Sequence, residues 1–235
     1  MNVFTYHLAK TTVHTAMSAL LSPPKASDVH GLIHAECMTS MTLGSSIVSP
    51  SRMKIHQLAV FAKWENQNAI DDYLENTKLG RVLAGGWYVR LVFQRRWGHV
   101  DEFDGLADCV GEANLDAPVV AVTLARLKLL QVPRFIRWGK PVEELVRDHP
   151  GITLATASIR LPRTVSTFSV WKTQREMLEM VWGNSSISKP KRHDMAMKER
   201  QRKDFHSQFT TLRFKALSEH GQWDGRSDYV PSLNS

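Results

Sequence analysis

The feature of this sequence that most restricts its fold is an order of predicted strands and helices that occurs twice. Alternating or β-branched apolar residues indicate strands, and apolar residues three and four apart indicate helices. Each half reads strand, helix, strand, strand, helix, strand, which is the ferredoxin-like unit. The predicted strands are residues 1–10, 31–48 (with a loop at its end), 56–64, 87–97, 119–125, 152–161, 165–171 and 209–217, and the predicted helices are residues 13–21, 66–77, 133–138, 142–147, 176–182 and 192–203.

Matching residues indicate that the unit is duplicated within the chain. Phe61 and Trp64 align with Phe168 and Trp171 at an offset of 107 residues, and the first strands of the two halves align at an offset of 116. We therefore predict an α+β fold with two ferredoxin-like halves in one chain. The predicted halves are residues 1–100 and 118–235, and the acidic residues 101–117 are predicted to link them.

The formal charge of +7 is concentrated in residues 189–203, which contain seven basic and two acidic residues. A local excess of this kind indicates a surface that meets an anion, an acidic partner or acidic lipid. The stretch lacks interleaved aromatic residues and any known nucleic-acid-binding signature, so we expect no nucleic acid partner. Two cysteines suit a reducing compartment, and no apolar run approaches the roughly 20 residues of a membrane span. We expect a cytoplasmic protein without a membrane span.

The two halves differ in the length of one interval, and the longer copy contains this basic stretch. The interval from Trp64 to Trp97 is 33 residues, whereas the interval from Trp171 to Trp223 is 52. The second half therefore carries 19 extra residues between its third and fourth strands. Because added segments of a duplicated fold often carry function, His193 at the centre of the stretch is a candidate functional residue.

His193 is the best candidate metal ligand in the sequence. A helix holds a side chain rigidly, and a neutral imidazole nitrogen is a common metal ligand. Met197 and Arg200 follow His193 by one and two turns along the same edge of the predicted helix. Two alternatives remain: His193 is a surface histidine of a solvated helix, or the ligand is His206, which lies beside Phe205 near the last strand.

Several short segments resemble the spheroidene monooxygenase family. They are Gly31-Leu32, Leu58-Ala59-Val60-Phe61 up to Trp64, Thr167-Phe168-Ser169-Val170-Trp171, the His193 helix with Phe205 twelve residues on, and the closing Gly221-Gln222-Trp223. The resemblance implies a fold of the dimeric α+β-barrel type and a haem b held by a helical histidine. It also implies oxygenation of a hydrophobic substrate with O2. Separately, the basic stretch could dock an acidic partner such as a ferredoxin-type electron donor, and the chain could form a homodimer.

The resemblance suggests a role for each candidate residue. His193 would ligate the iron, and Met197 and Arg200 would contact the porphyrin and its propionates. A site for oxygen also needs a few well-placed polar groups in an apolar pocket. The strand of residues 152–160 offers Thr156, Ser158 and Arg160 on one face, and these are the predicted catalytic residues. That face could instead point to solvent or to a partner copy. Thr167 and Ser169 on the next strand could likewise face the oxygen site, the solvent or a partner copy.

Two further functions compete with a haem monooxygenase. The first is a haem-dependent dehydratase that acts on an N–O bond, as aldoxime dehydratases do, and needs no reductant. The second is a haem-free ferredoxin-like module for binding or assembly. The module would require no cofactor and would turn Thr156, Ser158 and Arg160 to solvent.

Overall fold

A computed structural model describes residues 2–45, 52–185 and 190–231. Its eight strands form a closed barrel, which confirms the predicted fold class of two ferredoxin-like halves in one chain. The strands are β1 Val3–Lys10, β2 Leu32–Met41, β3 Met53–Trp64, β4 Trp87–His99, β5 Val119–Leu127, β6 Ile152–Arg160, β7 Thr164–Trp171 and β8 His206–His220.

Six helices lie in this part of the chain. They are α1 Val13–Leu21, α2 Gln67–Asn76, α3 Lys78–Ala84, α4 Val132–Arg147, α5 Gln174–Trp182 and α6 Arg192–Arg202, with short 3-10 turns at Asp101–Phe103 and Leu129–Gln131. Side chains cap several of them: the Asn66 amide oxygen accepts the Ala69 N–H at the start of α2, and the Thr173 hydroxyl does the same for Glu176 at the start of α5. None of the described helices is both long and apolar enough to cross a bilayer.

The two halves share one strand order and meet along two seams. The order around the barrel is β1-β3-β2-β6-β7-β5-β8-β4, so the first half reads 4-1-3-2 and the second 8-5-7-6. All neighbouring strands are antiparallel. One seam is long, between β4 and β8. The other is short, because β2 meets β6 only where Thr39–Met41 lies opposite residues 157–159.

Aromatic side chains fill the inside of the barrel. Successive residues of a strand point to opposite faces, so every second residue of each strand faces inward. Tyr6 of β1 stacks on Phe168 of β7 with ring centroids 3.9 Å apart, and Phe4 lies 5.0 Å from Phe214 of β8. An eight-stranded barrel has an interior just wide enough to be filled by side chains, and these rings fill it.

The helices cover the outer faces of the two sheets. α1, α2 and α3 pack on β1–β4 around Trp64, Ile70 and Tyr73. α4 and α5 pack on β5–β7 around Leu145 and Trp171. α6 packs mainly on α4 and α5.

Four local differences from the predicted elements have identifiable causes. Residues 132–147 form one helix rather than two, although Pro141 lies inside it. Proline removes one helical hydrogen bond, and the residue that would have accepted it, Arg137, is exposed to water. α3 was missed because it begins immediately after α2, where the Thr77 hydroxyl accepts the Gly80 N–H and starts a new helix. Phe103, in the predicted linker, is buried in the barrel against Phe61.

The fourth difference is in strand length. β4 extends to His99 and β8 to His220, each beyond its predicted end, because the two strands pair with each other along the long seam. Residues 46–48 of the predicted interval 31–48 and Lys189 of the basic stretch lie outside the described residues.

We predict that Phe168→Ala lowers the free energy of unfolding by about 3–5 kcal/mol, because it removes a fully buried ring from the barrel interior. Chemical denaturation measures this change. Trp182→Ala is the control, since Trp182 is mostly exposed and its loss should change stability by no more than about 0.5 kcal/mol. An equal effect of both substitutions would contradict the assignment of Phe168 to the core.

Candidate functional site

Equivalent positions of the duplicated unit are covered to different extents on the outer faces of the two sheets. His7 pairs with Val60 in the first half, and both side chains are buried beneath the helices. The matching pair in the second half is Thr123 and Thr167, which are both half-exposed. A covering layer that leaves the middle of a sheet half-exposed is incompletely filled. The outer face of β5 and β7 is therefore less completely covered at this point than that of β1 and β3.

The size of the packed clusters shows the same contrast. Among the residues that the structure describes, seventeen buried apolar residues form the outer cluster of the first half, whereas six form that of the second. A further small cluster of Met41, Leu43 and Ala157 lies at the short seam. Side chains on the outer face of the second sheet are mostly small, as at Ala121, Thr123, Ala155, Thr167 and Ser169. Small side chains leave room above the sheet.

The covering helix α4 also leaves its apolar side partly uncovered. The helix is sharply amphipathic, yet Leu145 is its only buried residue. The apolar residues that remain half-exposed are Val132, Phe135, Ile136, Trp138, Val142 and Val146. By comparison, the shorter α2 buries Ala69, Ile70, Tyr73 and Leu74. An apolar ligand between α4 and the sheet would complete the burial of these side chains.

His193 has the hydrogen bonding expected of a metal-ligating histidine. Its Nδ1 lies 3.0 Å from the carbonyl oxygen of Val181 at the end of α5. A carbonyl can only accept a hydrogen bond, so Nδ1 carries the proton and Nε2 keeps its lone pair. Fixing one ring nitrogen in this way orients the other toward a metal. Burial lowers the pKa of His193, although the Val181 carbonyl and Asp194 oppose the shift, and the ring is neutral at neutral pH.

The two predicted companions of His193 lie on the same helix. Met197 is half-buried in α6. Arg200 reaches the sheet, because its guanidinium carbon lies 3.8 Å from the centre of the Phe209 ring in β8. Its Nε is also 3.5 Å from a carboxylate oxygen of Asp204. Arg200 thus places a positive charge beside the edge of the underfilled layer.

His206 is more deeply buried than His193. Its Nδ1 lies 3.1 Å from Asp204 Oδ1, and its Nε2 is buried without a hydrogen-bond partner. Burial, together with the charge of Arg200, lowers the pKa of His206 to about 4. Rings of Phe135, Phe205 and Phe209 surround it. His206 is therefore oriented like a ligand too, but its free nitrogen is enclosed by aromatic rings.

The three predicted catalytic residues lie on the inner face of the barrel, opposite the helices. Thr156 is buried in register with Phe168. The Ser158 hydroxyl donates to the sulfur of Met38 at 3.5 Å. Arg160 Nη2 donates to Glu36 Oε2 at 2.7 Å. Thr156 and Ser158 are buried, whereas the Arg160 side chain is 28% exposed. All three lie on the face of β6 that is turned away from the helices, and His193 is on one of those helices. β6 presents alternate residues to each face, and sequence alone did not show which face the helices would cover.

Arg160 belongs to a buried charge cluster at one end of the barrel. At its centre is Glu36, whose side chain is 0% exposed and which also accepts hydrogen bonds from Arg126 at 2.7 Å and His34 at 3.3 Å. Burial opposes ionisation of Glu36, but the hydrogen bond from His34 and the charges of Arg160 and Arg126 outweigh it and lower its pKa. The side-chain atoms of His34, Glu36 and Glu102 that could ligate a metal lie within 4.8 Å of one another. In this structure Arg126 Nη2 lies between the two glutamates and donates a hydrogen bond to each.

Two features of this region were not predicted from the sequence. They are the half-covered apolar side of α4 and the hydrogen bond between His193 and the Val181 carbonyl. The amphipathic pattern of residues 132–147 was visible, but only tertiary packing shows that its apolar side is left half-covered. The contact of His193 with Val181 joins residues of separate helices and has no sequence signal. Thr167 and Ser169, which were weaker candidates, do face the helix layer.

No family model and no curated protein matches the chain. Among solved structures it is similar to a Fusobacterium nucleatum protein provisionally named a monooxygenase, with 11% identity over 96% of both chains and a TM-score of 0.40. A Lactobacillus acidophilus protein with the same provisional name is 8% identical over 94% of this chain and 96% of its own, with a TM-score of 0.38. A Listeria monocytogenes ferredoxin-fold protein related to antibiotic biosynthesis monooxygenases is 10% identical over 92% and 97%, with a TM-score of 0.30. Likeness at this level does not extend to activity, substrate or cofactor, and none of the three is described as a spheroidene monooxygenase.

We predict that Glu36→Gln destabilises the protein by about 3–5 kcal/mol, because it leaves the buried guanidinium groups of Arg126 and Arg160 without their shared carboxylate. Since the folded pKa of Glu36 is depressed, its stabilisation is complete above the unfolded pKa of about 4.3 and is lost as the pH falls further. Urea unfolding at a series of pH values should show a weaker acid dependence in the variant. Asp116→Asn, which removes an exposed ion pair with Arg175, should cost no more than about 1 kcal/mol.

Proposed function

We propose that this chain is a haem-dependent monooxygenase acting on a hydrophobic substrate. The haem b would lie between the outer face of β5–β8 and helices α4–α6, and His193 would hold its iron. The observation that carries the proposal is the orientation of His193, whose Nδ1 is held by the Val181 carbonyl at 3.0 Å so that Nε2 remains available to iron.

Three properties of the second half fit such a group. The floor of the layer consists of small side chains, including Thr123 and Thr167, and its roof on α4 offers half-exposed apolar side chains. A flat apolar cofactor would bury both. Arg200 lies at the edge of the layer, where a guanidinium can pair with a propionate. His193 is neutral because burial lowers its pKa, as ligation requires.

Each residue then has a physical task. Val181 fixes the tautomer of His193, and α6 fixes the direction of its ring. The hydroxyls of Thr123 and Thr211, 3.3 Å apart on the floor, are polar groups that could orient a substrate. Apolar side chains of α4 exclude water and favour a hydrophobic substrate. The haem, when bound, supplies the oxygen chemistry, and the protein supplies binding and orientation.

The direct test is the absorbance spectrum of the purified full chain titrated with haemin. We expect one haem per chain with a Soret band, and we expect His193→Ala to lose or shift that band because the axial nitrogen is gone. Added imidazole should restore the band in this variant by replacing the missing ring. His206→Ala is the matched control and should retain the wild-type spectrum.

Two outcomes would overturn the assignment. A wild-type chain that takes up no haemin would exclude a haem enzyme. Loss of the band in His206→Ala but not in His193→Ala would move the ligand to His206. Turnover assays with and without an electron donor distinguish the two reaction classes. A monooxygenase turns over only with an electron donor, whereas a dehydratase acting on an N–O bond needs none.

We predict that Thr167→Trp weakens haemin binding at least tenfold without unfolding the protein, because an indole would occupy the space above the sheet. Fluorescence quenching on haemin addition measures the affinity, and circular dichroism checks the fold. The control is Leu217→Trp, at a partly exposed position on β8 outside this layer. If Thr167→Trp bound haemin like the wild-type protein, the cofactor could not lie on this face of the sheet.

A further inference from the structure

Three loops meet at one rim of the barrel. They are the segment after β5, the turn between β6 and β7, and the connection from α6 to β8. Backbone hydrogen bonds join them: the Leu127 N–H donates to the Arg163 carbonyl at 2.8 Å, and the Lys128 N–H donates to the Phe205 carbonyl at 2.9 Å. The side chain of Arg134 adds a link to the Lys203 carbonyl at 3.2 Å. The rim is therefore a fixed surface.

This rim carries unusually exposed leucines. Leu130 is 93% exposed, Leu161 is 67% exposed and Leu129 is 57% exposed. One exposed leucine is ordinary in a folded protein, but several on joined loops form an apolar patch of the kind that marks an interaction surface. Leu130 contacts almost nothing in its own chain, so it contributes little to the stability of the fold.

Exposed cations occupy the same loops as the leucines. They are Lys128, Arg163 and Lys203. Asp204 is the acidic residue of these loops, and its carboxylate, which is 43% exposed, lies 3.1 Å from His206 Nδ1 and 3.5 Å from Arg200 Nε. The rim therefore combines exposed apolar side chains with three cations against one carboxylate, and the chain as a whole carries a charge of +7.

We propose that this leucine rim (Leu129, Leu130 and Leu161 with Lys128, Arg163 and Lys203) docks on the surface of an anionic lipid bilayer. Leucine side chains enter the boundary between head groups and acyl chains, while lysine and arginine bind the lipid phosphates and carboxylates. A second copy of the chain is a poorer occupant, since a symmetric contact would bring the same cations face to face. Charge complementarity thus favours lipid over self-association.

Co-sedimentation of the full-length protein with vesicles tests the proposal. The protein should bind vesicles of equal parts phosphatidylcholine and phosphatidylserine, and should not bind pure phosphatidylcholine. Arg163→Gln and Lys203→Gln should each weaken binding about fivefold, the usual effect of one cation near an anionic surface. Leu130→Ser combined with Leu161→Ser should also release the protein from the vesicles. Because these side chains are exposed, the variants should fold normally, which thermal unfolding verifies.

Leu21→Ser provides the matched control. Leu21 is 76% exposed, but it belongs to α1 in the first half and not to the loops that form the rim. It should bind vesicles like the wild-type protein. The proposal fails if the wild-type protein ignores anionic vesicles, or if the rim variants bind as well as it does. It fails equally if the wild-type protein is a dimer that Leu130→Ser with Leu161→Ser converts to a monomer, because the rim would then be a protein interface.

Discussion

Closure of the eight-stranded barrel is the constraint on which the rest of the structure depends. Closing the sheet leaves an interior that side chains must fill completely, and Tyr6, Phe61, Phe168 and Phe214 do so with their rings. The interior is packed in this way in both halves, so the difference between the halves lies on the outer faces of the sheets, where the helices pack.

The charge cluster at the end of the barrel completes this closure. Glu36 is enclosed, and the guanidinium groups of Arg126 and Arg160 compensate its charge within 2.7 Å. A buried carboxylate without such partners would strongly oppose folding. The cluster also accounts for the arginine at the end of β6, because Arg160 forms an ion pair with Glu36.

Duplication and divergence account for the difference between the two outer layers. In the first half, His7 and Val60 are buried under α1–α3, and that layer serves stability. In the second half, the matching Thr123 and Thr167 stay half-exposed under α4–α6. A ligand site is expected in the half whose outer layer is less completely packed, because an incompletely filled layer lowers stability unless a ligand occupies it. The inserted interval also carries α6 with His193, and this helix packs on α4 and α5.

The sequence by itself determined the order of elements, the duplication and the α+β class, since these follow from local periodicity and from residues matched at fixed offsets. It also placed His193 on a helix, because the pattern around residue 193 is local. Tertiary structure alone decided which face of β6 points inward, and it placed Thr156, Ser158 and Arg160 on the face turned away from the helix of His193. It alone paired Nδ1 of His193 with Val181 and Arg160 with Glu36. These contacts join residues far apart in the chain, and a period-two strand pattern is the same whichever face the fold buries.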